Sequence, residues 1–333
     1  MPNGEVNTAT PVGQLLDRVT ARDLIVGEDG KSGNTVERVE IDDAPYVLKR
    51  MSVEADWIMR VMGDRVFWPH IAWEAGIFAR VPAVIDHAVV GMSLAGRGPG
   101  AVLTILMRDV GPFLIPEGDE PVSVDQHQGL LDDMAAMQAT FWGWRDDLGL
   151  QTMAQRLSPF APATIAPELL VEDVPVPVAV ADQGWRRLSE VAPDLARLVL
   201  PFHRDPRPLV DALAATPATF LHGDWKMGNL GRHPDGRTVL IDWAYLGAGP
   251  GCWDLMWYLA LNRARLPQTK EQSIERYRAA LGANGITTEG WFDRQLGLSA
   301  IGMMVVFGWE KAVGDADELA WWEGQAVAAS RWL

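Results

Sequence analysis

The segment FLHGDWKMGNLG, residues 220–231, sets His222, Asp224, Lys226 and Asn229 between apolar ends, and the following TVLIDW adds a second aspartate, Asp242. Gly223 and Gly228 interrupt the stretch, which therefore reads as a loop rather than one helix face. A loop can turn Asp224 and Asn229 into one cleft. TVLIDW reads as a strand with Asp242 at its end, where strands commonly present ligands. An aspartate, an asparagine and a second aspartate suit nucleotide chemistry, because Mg²⁺ favours oxygen ligands and completes its shell with phosphate oxygens and water. Asn229 and Asp242 are the expected metal ligands. Asp224 is expected to orient an incoming hydroxyl and accept its proton, and Lys226 to contact the transferred phosphate or screen charge beside Asp224. His222 is expected to hold the loop.

Two motifs carry a family resemblance. HGDWKMGN matches H-G-D followed by four residues and N, and LIDWAYLG matches a metal segment of the I-D-W or I-D-F type. In this order, separated by a short hairpin, they resemble the aminoglycoside phosphotransferase and choline kinase-like group. Protein kinases proper match less well, since Asp242 begins DWA rather than DFG and no APE segment follows. The resemblance implies an α+β, protein-kinase-like two-lobed fold: a small N-terminal lobe with an antiparallel sheet, residues 1–109, and a larger, mainly helical C-terminal lobe, residues 110–333. It also implies ATP as phosphoryl donor, with Mg²⁺, and a hydroxylated small molecule as acceptor. Lys49 in YVLKR corresponds to the strand lysine that clamps nucleotide phosphates, and Glu74 in IAWEAGIF to the helical acid that orients it, with Glu54 the alternative. In LTILMRDVG, Met107 is expected to face the back of the adenine pocket, and the backbone at Arg108 and Val110 to meet the base. Gly27 to Gly33 stand where a phosphate-covering loop would be, although they depart from G-x-G-x-x-G. Asp254 in GPGCWDLMWYL is expected to cap a helix or fix the catalytic loop.

The elements that must position these residues change character along the chain. PVGQLLDRVT reads as a short helix, DLIVGE, TVERVEI and APYVLKRM as strands, and residues 54–80 as helical segments broken near Pro69. The apolar run in GRGPGAVLTILMRDVG is a further strand. SVDQHQGLLDDMAAMQATFWGW has helical spacing, as does WRRLSEVAPDLARLVLPF, which carries an internal proline. The Pro- and Ala-rich stretch between them predicts loops or short helices. ATFLH and TVLIDW read as strands flanking the polar motif, and from CWDLMWYLALNRA to the end the pattern is helical.

Composition narrows the function classes. A net charge of -15 with scattered Lys and Arg excludes a general nucleic-acid binder and favours cationic small molecules. Cys252 is the sole cysteine, so neither an intrachain disulfide nor a thiolate cluster can form. The start lacks a secretory pattern, and AIGMMVVFGWEKAV stops too early to span a bilayer, so a cytoplasmic, membrane-free protein is expected. Tryptophans such as Trp57, Trp253 and Trp257 sit in helical contexts and read as core. Near the end, Glu310, Asp315, Asp317, Glu318 and Glu323 form an acidic run that suits either substrate amines or a solvated face. Two rivals to a kinase remain: a noncatalytic nucleotide-binding or scaffold protein, and a hydrolase of phosphorylated compounds, which would leave Lys49 without a use.

Overall fold

The computed structural model describes residues 11–25 and 34–333. The expected phosphate-covering turn at Gly27 to Gly33 lies outside the described residues. Two compact units form: Met1–Pro116 with Asn229–Asp242, and Glu117–Gly228 with Trp243–Leu333. A single division at 109/110 was expected. The units are instead interleaved, because the segment Asn229–Asp242 finds its hydrogen-bond partners among residues of the first unit.

In the first unit, α1 (Val12–Leu16) precedes β1 (Val19–Leu24), β2 (Thr35–Ile41) and β3 (Ala44–Met51). Helices α2 (Trp57–Met62) and α3 (Trp68–Glu74) follow, then β4 (Ile85–Asp86), β5 (Val89–Ala95) and β6 (Val102–Arg108). Five strands form an antiparallel sheet in the order β1-β2-β3-β6-β5. In β3, Tyr46 and Leu48 join a buried cluster with Val12, Leu15, Val39, Ile41, Val90 and Leu106. Strand periodicity then sends Lys49 to the opposite face. Asp56 caps α2 by accepting the N–H groups of Ile58 and Met59, and Gly63 ends the helix at φ 75°. The helical break expected at Pro69 falls earlier, because Pro69 occupies the first turn of α3, where a missing N–H costs nothing.

Four short strands follow: β7 (Thr219–Leu221), β8 (Leu230–Arg232), β9 (Thr238–Leu240) and β10 (Gly247–Gly249). In the first unit, β8 and β9 form an antiparallel hairpin and β4 adds to β9 in parallel. Gly231 also bridges to Leu114 there. In the second unit, β7 pairs with β10.

The second unit is otherwise helical: α4 (Val124–Thr140), α5 (Met153–Arg156), α6 (Pro162–Ile165), α7 (Val176–Val191), α8 (Pro193–Val199), α9 (Arg207–Ala214), α10 (Cys252–Leu261), α11 (Lys270–Ala283), α12 (Phe292–Val313) and α13 (Ala316–Ala329). The proline in WRRLSEVAPDL divides two helices. Ala192 leaves helical geometry at φ -142°, as the residue before a proline tends to, and Pro193 opens α8. Helix α12 is the core of the unit, packed by α7, α10 and α13. Its apolar run was expected to stop too early to span a bilayer; the helix is long and apolar enough to cross a membrane, but 83% of its apolar window is buried. At Gly302 a Cβ would stand 2.5 Å from the Trp253 ring, so glycine lets α10 and α12 approach.

Three members of the acidic run have partners within this unit, although only Glu318 is buried. Asp315 caps α13 and pairs with Arg263 at 3.0 Å. Buried Glu318 meets Lys270 at 2.5 Å, Arg263 at 3.4 Å and Lys311 at 3.7 Å, and accepts the Trp322 indole N–H at 2.7 Å. Glu323 accepts the Leu195 N–H at 3.3 Å.

Candidate active site

The HGD loop leaves β7 in the second unit with its backbone held by a carboxylate. Asp254, fully buried in the first turn of α10, accepts the N–H of His222 at 3.0 Å on one oxygen and that of Gly223 at 2.9 Å on the other. Burial pushes the Asp254 carboxyl up to about 6, opposed by the Arg156 guanidinium and by those two N–H groups. Arg156 is itself buried, which pulls it down to about 10 against the attraction of Asp254 and Asp146. Its Nε and Nη2 find no hydrogen-bond partner among the described residues. The charge of Asp254 is therefore its principal compensation. Gly223 adopts φ 82°, and a Cβ there would stand 2.2 Å from the Tyr245 carbonyl and 2.3 Å from Arg156 Nη1. Only glycine fits between His222 and Asp224.

His222 faces inward, fully buried, with its ring edge-on to Trp243 at 4.7 Å. Its Nδ1 accepts the Asp224 N–H at 3.2 Å, which places the proton of a neutral ring on Nε2. This is the loop-holding position expected for it. Asp224 is 3% exposed. Its Oδ1 accepts the Trp257 indole N–H at 2.9 Å, and its Oδ2 lies 3.0 Å from Lys226 Nζ. Trp257, read from sequence as core, thus has its polar edge on Asp224. An aromatic residue in a helix gives no signal of that bond until the loop is in place.

In the first unit, the hairpin assembles the other motif residues. The Ile241 N–H donates to the Asn229 carbonyl at 3.0 Å, which sets the start of β8 beside the end of β9. The next residue, Asp242, turns to φ 60°, a conformation aspartate tolerates better than most residues. Lys49 Nζ meets Asp242 Oδ1 at 2.7 Å, the side chains keeping 15% and 35% of their surface open. Asn229 and Asp242 thus bring two oxygen-bearing side chains to one end of a hairpin, the donor chemistry a hard dication takes. Among the described residues, no group of three or more His, Cys, Asp or Glu gathers into a metal cage. A two-residue set is what remains when phosphate and water supply the other ligands.

Met107 and Val110 belong to a small apolar cluster with Ala88, Val239, Phe113, Leu114 and Ile241. The strand expected to border the base therefore packs against the residues leading into Asp242. Arg108 is more heavily engaged than expected. Its backbone N–H donates to the Ala88 carbonyl at 2.9 Å, and its guanidinium pairs with buried Asp86. Burial would raise the Asp86 carboxyl, but Arg108 and the Ala88 N–H hold it below its usual value. The Val110 carbonyl accepts the Phe113 N–H at 2.9 Å.

The structure does not bring Glu74 to Lys49. Glu74 ends α3 facing solvent, and the alternative Glu54 is also exposed. The buried acids of this stretch are Asp56 and Asp64, which the sequence reading passed over. Burial raises the Asp56 carboxyl, while its hydrogen bonds and the nearby Lys49 charge oppose that rise. Asn34 Nδ2 donates to it at 2.7 Å. The missed signal was an aspartate immediately before WIMRVM, a helix-cap position.

A model of the phosphotransferase enzyme family matches residues 28–291. Comparison with curated protein sequences finds no match. Among solved structures, choline kinase LicA from Streptococcus pneumoniae is similar at a TM-score of 0.50 and 12% identity, with 94% of each chain covered. LicA in complex with AMP aligns at 0.52 and 11%, covering 93% of this chain and 94% of that one. Amicoumacin kinase hAmiN, in complex with AMP-PNP, Ca²⁺ and Ami, aligns at 0.51 and 13%, covering 94% and 89%. At these identities the structures speak for the kinase-like α+β fold. The family match runs through the Lys49 strand, the HGDWKMGN loop and the LIDW segment, so the chain belongs to the phosphotransferase enzyme family and is a small-molecule phosphotransferase.

Proposed function

We propose that the enzyme transfers the γ-phosphoryl group of ATP to a hydroxyl of a small molecule. The observation that carries this reading is the support of Asp224: a nearly buried carboxylate, held at one oxygen by Trp257 and at the other by Lys226, on a loop whose backbone Asp254 fixes. Asp224 aligns the acceptor hydroxyl and takes its proton as the phosphoryl group leaves ATP. Lys226 neutralises charge at the transferred phosphate. Lys49 binds the nucleotide phosphates, and Met107 and Val110 border the base. Asn229 and Asp242 would hold Mg²⁺, which when bound neutralises phosphate charge. The half-open Lys49–Asp242 pair supports these two roles, because each side chain retains surface for a phosphate or a cation. A noncatalytic nucleotide-binding role would leave the two-sided support of Asp224 without purpose. ATP use and a lone buried thiol at Cys252 suit the cytoplasm.

The test is an acceptor screen with Mg²⁺ and ATP, following ADP release and acceptor mass for wild type and Asp224→Asn. One acceptor should gain a single phosphoryl group with wild type only. Undiminished transfer by Asp224→Asn would remove Asp224 from the assigned role, and failure to bind ATP would remove the reading.

A further inference from the structure

Asp254 and Trp257 of α10 hold the first half of the HGD loop, at His222, Gly223 and Asp224. The second half, from Lys226 onward, is held by a residue outside the recognisable motifs. The Met227 backbone N–H donates to Asn262 Oδ1 at 2.9 Å. Asn262 stands where α10 ends and is 5% exposed.

Two backbone partners fix the direction of the Asn262 amide. Its Nδ2 donates to the Tyr258 carbonyl at 2.7 Å, one turn back in the same helix. Turning the amide over would set its NH₂ against the Met227 N–H and its oxygen against the Tyr258 carbonyl, so both bonds would be lost together. A helix end needs only the donor half of this side chain; the acceptor half serves the loop. The helix end is itself secured. Buried Lys311 of α12 donates to the Ala260 carbonyl at 2.8 Å, a cation where the α10 dipole is negative. The Arg265 N–H donates to the Asn262 carbonyl at 2.9 Å.

The bond falls at a sensitive place in the chain. Met227 is buried, whereas Lys226 just before it keeps 40% of its side chain open and lies 3.0 Å from Asp224. Two residues after Met227 the chain passes into the first unit at Asn229. We infer that Asn262 is a positioning residue for phosphoryl transfer: through the Met227 N–H it sets the backbone from which Lys226 reaches Asp224 and from which Asn229 follows. Asn262 touches no reacting atom and acts on placement alone. This role rests on the phosphotransferase reading for what the loop does.

Three variants of the full chain separate the two bonds. Asn262→Asp keeps an oxygen for the Met227 N–H but loses the donor to Tyr258. Asn262→Leu and Asn262→Ala lose both, the first keeping side-chain volume and the second adding no bulk, so that one remains informative if the other does not fold. Each is measured for hydrogen exchange at the Met227 amide by NMR, for ATP affinity by calorimetry, and for ADP release from Mg²⁺-ATP with pooled kanamycin, choline, ethanolamine and glucose as acceptors. Asn262→Leu and Asn262→Ala should speed Met227 exchange at least about tenfold and lower kcat about 30- to 100-fold, as a small misplacement of reacting groups does, with ATP affinity within about threefold of wild type. Asn262→Asp should lose no more than about threefold in kcat, because the loop bond survives. Equal losses in all three variants would assign the effect to the helix end and overturn the positioning role. Undiminished kcat, or unchanged Met227 exchange, in the Leu and Ala variants would overturn it too, and in each of these cases the phosphotransferase reading would stand. Absence of ADP release by wild type would remove that reading and the role of Asn262 with it.

Discussion

Lys49 and Asp224 are both charged residues of the recognisable motifs, yet they are held in different ways. In the first unit, Lys49 and Asp242 meet through one 2.7 Å contact between side chains with surface still open. In the second, Asp224 is 3% exposed, both its oxygens are engaged, and the backbone before it is fixed by Asp254, itself balanced by Arg156. The contrast fits the two tasks proposed for these residues. Binding a nucleotide asks charges to change partners, so a half-open pair is suitable. Accepting a proton from a hydroxyl asks one atom to stay in place, which a buried, multiply bonded loop achieves.

Substitutions should separate these modes of support. The largest effect is expected for Asp224→Asn, which preserves an acceptor for Trp257 but not the proton-accepting charge: kcat should fall about 10²- to 10⁴-fold in a steady-state assay. Arg156→Met removes one partner of a buried pair and should cost about 3–5 kcal/mol in chemical unfolding. It should also move the acid limb of kcat upward from about pH 6, because Asp254 loses the positive charge that opposes its burial and takes up a proton at higher pH. An acid limb that stayed in place would disconnect Arg156 from the loop. Gly223→Ala combines a strained backbone with a clash against Tyr245 and should cost about 2–4 kcal/mol by the same measurement. On the half-open side, Lys49→Met should weaken ATP binding about 10- to 100-fold in calorimetry while leaving the unfolding curve nearly unchanged. Glu74→Gln should change stability by no more than about 0.5 kcal/mol and leave ATP affinity as it is, since Glu74 faces solvent.

Much of this was legible in the sequence because the informative residues are close together in the chain. HGDWKMGN and LIDW are local patterns, and the hairpin between them followed from a strand and a turn. Lys49 was legible through the resemblance, as the counterpart of the strand lysine that clamps nucleotide phosphates. The support around these groups was legible only in part: the resemblance pointed to Asp254 as a residue that caps a helix or fixes the loop, which it reaches from 31 and 32 residues away, whereas Trp257, read as core, reaches Asp224 from 33. Glu74 and Asp56 differ through burial: both acids lie in or beside short helices, and only packing leaves one in solvent and caps a helix with the other. The acidic run near the end read as one feature, whereas its members serve separately as cap, ion-pair centre and backbone acceptor. The interleaving of the units likewise depends on pairing of β4 with β9, which no local pattern announces.

The most direct test is to measure Mg²⁺-ATP affinity and single-turnover phosphoryl transfer side by side in Asp224→Asn and Lys49→Met. The account predicts that Asp224→Asn keeps ATP affinity within about threefold of wild type while transfer falls at least about 100-fold, and that Lys49→Met loses ATP affinity first. Loss of ATP affinity in Asp224→Asn with transfer intact at saturating ATP would contradict the division of roles.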